Sequence, residues 1–344
     1  MSSAEKALPS SNPFTFRTRH TSMPNLNPGP SHPTTLTPQV KPYAGRLGGA
    51  QDFVLDRSDP ANAATLSRVP DAAPLMSVAE TLSLRGFAQR EIWQAACIEC
   101  LGTMLLVYIT AWIGSHPIGP SPPLPIGAGV GVGVGAAGVY GTPAFLGPLV
   151  GGITSWIIVT VFIYSMSSVS GAHLNPLISI ATFCARLTSL PRMVLYVAHQ
   201  TLGATLAGLM LRASYGSRDF DVGGCSIDTR VVSVGEAFSI EFMSNVTLLF
   251  LAFGVGLDPR QRQIFGPALA PALVGLSLGV LTFGTAITRP GYGGASMNPT
   301  RCLGVFVATR FPGWHWIHWV GPIAAAFVHS VFYVLVPPWD FQSE

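Results

Sequence analysis

The chain has 344 residues, of which 49% are hydrophobic, 10% are charged and 37 are glycine, with a formal net charge of +3; a soluble domain carries about 25% charged residues. That balance excludes an ordinary soluble domain and points to a lipid environment. The small positive charge, with basic residues not clustered among aromatics, excludes a nucleic-acid partner.

Residues 1–88 open with a run, "SSNPFTFRTRHTSMPNLNPGPSHPTTLTPQVKP", rich in Pro, Ser, Thr and Asn and without apolar periodicity. The composition predicts a disordered tail. No basic start precedes an apolar core, so the segment is not a secretory signal. Residues 89–338 form the membrane domain, and residues 339–344 a short carboxyl-terminal tail. Six stretches reach the roughly 20 apolar residues a crossing needs: Ile92 to Ile113, Leu146 to Met166, Met193 to Leu211, Ala237 to Leu257, Pro267 to Ile287 and Trp316 to Val336.

Arg85 and Arg90 precede the first span, whereas the loop from Gly114 to Phe145 holds neither Lys nor Arg. The positive-inside rule then puts the amino terminus in the cytoplasm. Six crossings return the carboxyl terminus to that side, together with Arg260 and Arg262. The glycine-dense "GAGVGVGVGAAGV" (Gly127 to Val139) reads as part of a long first external loop. Its echo of a dinucleotide loop lacks the strand–helix unit around it. No P-loop, paired-carboxylate site or metal cluster is present in the sequence, which argues against an enzyme and predicts no cofactor and no metal.

Of five cysteines, Cys97, Cys100 and Cys184 read as small buried residues. Cys225 lies alone in an external loop, where pairing with another subunit is one expectation. Cys302 follows Arg301.

The chain also repeats itself. "SGAHLNPLIS" (Ser170 to Ser179) is matched by "GGASMNPTRC" (Gly293 to Cys302), and "CIECLGT" (Cys97 to Thr103) by "SIEFMSN" (Ser239 to Asn245). Three crossings per copy invert the second copy relative to the first, which places the functional site where the halves meet near the midplane. Each Asn-Pro turn precedes about ten apolar positions, half a crossing. Such half-helices are tolerated at membrane depth only when buried in protein or lining a wet cavity.

Asn caps a helix through its side-chain oxygen, and Pro supplies the preset φ of the first turn. The amide groups of Asn175 and Asn298 are thereby left free to donate into one small space, backed by the positive ends of two helix dipoles. A water held there accepts from both amides and donates only outward, which interrupts proton hopping while the field repels cations. The arrangement predicts passage of neutral molecules without protons.

These residues resemble the aquaporin, or major intrinsic protein, family over residues 91–337. The motifs are the early "IE" with Gly102 and Thr103, "SGAHLNP", "AHQTLGA" (Ala198 to Ala204), "GASMNPTR" and "HWVGPIAAA" (His318 to Ala326). The resemblance implies an all-α membrane protein, an aquaporin-like inverted repeat of six transmembrane helices plus two re-entrant half-helices. It also implies one pore per subunit and a homotetramer in the lipid bilayer. "NPTRC" together with "VGGC" (Val222 to Cys225) is similar to the X intrinsic protein subfamily.

Carried over residue by residue, the resemblance assigns the pore motifs to Asn175, Pro176, Leu177, Asn298, Pro299 and Thr300. Leu177 and Thr300 stand where the family has Ala, which bears on pore width. The outer selectivity filter falls on Ser155, Thr282, Ala295 and Arg301, with Trp156 replacing Ser155 on a one-residue shift. Buried Glu99 and Glu241 would support the half-helices, and His173 would supply a structural hydrogen bond or a gate. A filter without Phe and His has room for glycerol, hydrogen peroxide, urea or boric acid, although His318 and Trp319 are closer to water-selective members.

The expectation is thus a passive channel for water and small uncharged solutes, with the plasma membrane as the default host. An alternative is a proton-coupled secondary transporter working through Glu99 or Glu241. A non-conducting adhesion protein of the same fold is a third.

Overall fold

The computed structural model describes residues 40–47, 54–117, 146–259 and 262–336. The glycine-dense stretch from Gly127 to Val139, and Arg260, lie outside them.

Six described helices are long and apolar enough to cross a membrane, with mean hydropathy of 1.4 to 2.0. They are α1 (Arg90–Gly114), α2 (Leu146–Met166), α4 (Leu190–Tyr215), α5 (Val234–Ala252), α6 (Arg262–Thr288) and α8 (Ile317–Leu335). Two short helices, α3 (Pro176–Cys184) and α7 (Pro299–Ala308), interrupt the series at corresponding places.

Local chemistry sets the ends. Pro176 and Pro299 occupy the first turn of the two short helices, where a missing N–H costs nothing. Ser233 and Glu236 form a reciprocal capping box on α5. Gly216, at φ 72, ends α4 in the left-handed conformation that glycine adopts without strain.

Packing follows the repeat. In each copy the first span lies on the third, α1 on α4 and α5 on α8, while α2 pairs with α6 across the copies. Each short helix rests on the third span of the opposite copy, α7 on α4 and α3 on α8. Backbones approach closely at glycine. A Cβ on Gly152 would stand 2.7 Å from the Gly279 carbonyl, and one on Gly279 2.6 Å from the Gly152 carbonyl, as expected where van der Waals contact, not water exclusion, joins helices.

Where the sequence predicts a disordered tail over residues 1–88, residues 40–47 and 54–88 are structured. Leu66, Ala72 and Ala73 form a small core of their own, and Ser77 caps the turn Val78–Thr81. Asp71, fully buried, joins Arg192 of α4 at 2.8 Å and accepts from the Ser189 hydroxyl at 2.7 Å. Burial alone would raise the Asp71 pKa, but the Arg192 charge and the hydrogen bonds outweigh it and hold the carboxyl below its ordinary range. Low hydrophobicity hides this order in the sequence, because a few charged and backbone contacts fix it.

Candidate functional site

The two re-entrant turns are built alike. Gly171, Ala172 and Leu174 in the first and Gly294 and Met297 in the second have positive φ between 51° and 99°. For non-glycine residues such a conformation costs about 1–3 kcal/mol each and persists only when its surroundings over-determine it. Buried carboxylates do so here. Glu99 accepts from the backbone N–H of His173 at 3.1 Å and of Leu174 at 2.6 Å, and Glu241 from Ser296 at 3.0 Å and Met297 at 2.8 Å.

Further donors complete each carboxylate. Glu99 receives the Ser170 hydroxyl at 2.5 Å and the Gln200 amide at 2.8 Å. Glu241 receives the Tyr292 hydroxyl at 3.2 Å, and His318 Nδ1 lies 3.5 Å away. Gln200 and His318 lie in motifs that were legible as signatures, but their roles as partners were not. A buried polar residue within a span is the signal that could have found them.

Each Asn then caps its own half-helix. Asn175 Oδ1 accepts from Leu177 N at 2.9 Å, and Asn298 Oδ1 from Thr300 N at 3.1 Å. The amides are not wholly free, contrary to the sequence-based expectation. Asn175 Nδ2 donates to Met297 O at 2.8 Å and Asn298 Nδ2 to Leu174 O at 3.0 Å. The two turns are thus tied reciprocally across the repeats. An amide NH2 has two hydrogens, so one on each Asn stays available to a passing molecule.

A cavity of about 310 Å³ runs from Leu47 and His173 past both Asn residues to His116, Gly223 and Arg301. Ser155, Thr282 and Ala295 line it as well. Trp156 does not, because its indole donates to Ala272 O at 3.0 Å on the side of α6. Leu177 and Thr300 are also absent from its wall. Both are fully buried, Leu177 in the main core and Thr300 with its hydroxyl on Asn298 Oδ1 at 2.7 Å, so neither sets the lumen's width directly. Glu99 and Glu241 are not among the described residues lining it.

The two ends of this lumen differ. At one, His173 Nε2 meets the Gly45 carbonyl at 2.6 Å, and Nδ1 faces the Ser179 hydroxyl at 3.0 Å. A carbonyl can only accept, so Nε2 carries the proton. The Tyr43 hydroxyl lies 3.2 Å from the same nitrogen.

At the other end, Arg301 donates to Gly223 O at 2.7 Å and lies 3.4 Å from Cys225 Sγ. Cys225 is bonded to Cys302 of the same chain, not to another subunit. Sequence spacing could not reveal this pairing of loop and half-helix. Cys97, expected to be buried, is exposed, while Cys100 and Cys184 are half-buried.

Six spans, two half-helices meeting tip to tip and a lumen between them define a helical membrane channel rather than an enzyme. The comparisons with known proteins agree. The profile of the Major intrinsic protein family matches residues 87–333, and the chain belongs to that family. It is 28% identical over 300 residues to "Aquaporin PIP2-4" of Oryza sativa subsp. japonica, covering 84% of this chain and 91% of that one. It is 30% identical over 272 residues to "Probable aquaporin PIP2-8" of Arabidopsis thaliana, covering 77% and 86%. Its fold is similar to that of the aquaglyceroporin from Plasmodium falciparum, with a TM-score of 0.51 and 20% identity over 72% of this chain and 98% of that one.

Proposed function

We propose that the chain conducts water and small uncharged solutes passively through the lumen between its repeats, excluding protons and ions. The observation that carries this reading is the pair of capping amides, Asn175 and Asn298, each keeping one hydrogen for the lumen at the positive ends of α3 and α7. A water that accepts from both cannot also accept a proton from its neighbour.

Arg301, Ser155, Thr282 and Ala295 act as the filter. Three small side chains leave room beside the guanidinium, which favours glycerol, hydrogen peroxide, urea or boric acid as permeants besides water. Glu99 and Glu241 act as scaffold for the half-helices, and His173 as a structural link to residues 43–45. The proton-coupled alternative is not favoured, because both carboxylates spend their acceptor capacity on the turns.

The subfamily reading is the X intrinsic protein, supported by the bond between the cysteines of "VGGC" and "NPTRC". A homotetramer fits the family, with the sparsely buried α2 facing a neighbour. The reading with both termini cytoplasmic rests on the Arg85 and Arg90 placement, and the plasma membrane is its default host.

Reconstitution tests the reading. Light scattering from proteoliposomes should show rapid flux of water and glycerol that does not saturate, with a hexitol excluded. Saturating flux driven by an imposed pH gradient contradicts it.

A further inference from the structure

We infer that the Cys225–Cys302 disulfide is a positioning bond for Arg301, and that reducing it loosens the discrimination of the pore. The inference rests on the filter reading of Arg301.

Arg301 stands on the first turn of α7, half-buried beside the lumen. A guanidinium has five N–H donors in a rigid fork, so its direction is set by whatever accepts from it. Its described side-chain partners are the Gly223 carbonyl and Cys225 Sγ, both on the loop that follows β2 (Phe220–Val222). No carboxylate stands among those partners. The aim of the filter arginine therefore depends on where residues 223–225 sit.

Backbone hydrogen bonds tie that loop to its neighbours, Gly223 N to Gly114 O at 3.2 Å and Gly293 N to Ser226 O at 3.0 Å, whereas the disulfide is its covalent link to α7. β2 pairs with β1 (Ser115–Pro117) over three residues, and its Phe220 and Val222 are buried in one cluster with Val305 and Phe306 of α7. Gly224 N donates to Gly293 O at 2.6 Å. Gly224 has φ 81, and a Cβ there would collide with the Arg301 guanidinium, so the backbone presses directly on the arginine. The disulfide joins Cys225 to the residue immediately after Arg301, across 77 positions of sequence. Carbonyl and guanidinium then move as one unit, and the lumen keeps a fixed outline at the Arg301 end. Without the bond, only hydrogen bonds and side-chain packing hold the Gly223 carbonyl against α7, and its aim at Arg301 loosens.

Cys225 also lines a second cavity of about 620 Å³, with Asp221, Arg310 and Trp314 in its wall. Asn175 and Asn298 are not part of that wall, so a reductant approaches from the Cys225 side, Cys302 being fully buried. A dithiol gives two electrons and two protons to the sulfurs of Cys225 and Cys302, breaking one S–S bond and forming two thiols. The dithiol itself closes to a ring disulfide.

The test is the glycerol-to-water permeability ratio of proteoliposomes. It is measured on wild type before and after dithiol treatment and thiol blocking, and on Cys225→Ser, Cys302→Ser and Arg301→Ala. Reduction of the assembled wild type should raise the ratio about two- to tenfold, the span of one lost hydrogen bond, and each serine variant should match it and ignore the dithiol. Reduction acts on folded channels, so it decides the matter even if a serine variant fails to assemble. An increase with Arg301→Ala but an unchanged or lower ratio after reduction overturns the inference alone. An unchanged ratio with Arg301→Ala overturns the filter reading and the inference together. Free thiols at both positions in peptide maps of untreated protein also overturn it.

Discussion

The two halves of the molecule share one device and differ in what holds it from outside. In both, a buried glutamate collects two backbone N–H groups from a strained turn, and an asparagine caps the half-helix while bonding to the opposite turn. Beyond that common centre the symmetry ends. The first turn is braced by Gly45 and Tyr43 from the segment before α1, itself linked through the Ala44 N–H to the Asp71 carbonyl. The second is braced by a loop and a disulfide. The repeated elements build the middle of the lumen, and each mouth is held by chain that the repeat does not share.

The strongest way to break this comparison is at the centre. Glu99→Ala and Glu241→Ala each orphan two buried N–H groups at about 1–3 kcal/mol apiece, besides their hydroxyl and amide donors. Both variants should lose assembly or a large part of their thermal stability in detergent, to similar extents. A mild loss in one and collapse of the other would deny the shared role.

Next comes the first mouth. Asp71→Ala leaves Arg192 buried without its partner and should cost about 3–5 kcal/mol. By hydrogen exchange, amides around α3 should open while those around α7 stay protected. Equal opening of both turns would mean that the anchors are not separate.

The same pair gives a pH test. The Asp71 carboxyl is held below its ordinary range, so its contribution is complete above the usual carboxylate pKa of about 3.9 and fades as pH falls through its lowered value. The gap in melting temperature between wild type and Asp71→Asn should be constant from neutral pH to about 5 and should narrow as pH falls below the ordinary carboxylate pKa of about 3.9. A gap that narrows already near neutrality contradicts this.

Smallest is Tyr43→Phe, which removes a hydroxyl from His173 and Thr188 and should cost about 1 kcal/mol. Because the hydroxyl lies closer to Thr188, at 2.7 Å, than to His173, at 3.2 Å, part of this cost should persist in a chain that already carries His173→Ala, and its complete loss there would contradict the account.

The six spans were legible because apolar length is what a bilayer demands; the predicted Leu146 to Met166 coincides with α2. The predicted Met193 to Leu211 fell short of α4, because Arg192 and Arg212 look like ends from composition. In the fold Arg192 is neutralised by Asp71, and Arg212 donates to the carbonyls of Val307 and Ala308. Asn175 and Asn298 were legible as caps because Asn-Pro chemistry is local. Their bonds across the repeats, the Gln200 and His318 contacts, the bracing by residues 43–47 and the disulfide were not, since each joins residues far apart in sequence.

The central claim is that both amides and Arg301 share one lumen that admits water and interrupts protons. It is tested most directly by recording osmotic water flux and proton flux on the same proteoliposomes. The account predicts fast water movement with proton conductance no higher than in empty vesicles. Proton entry that rises in step with water flux would contradict it.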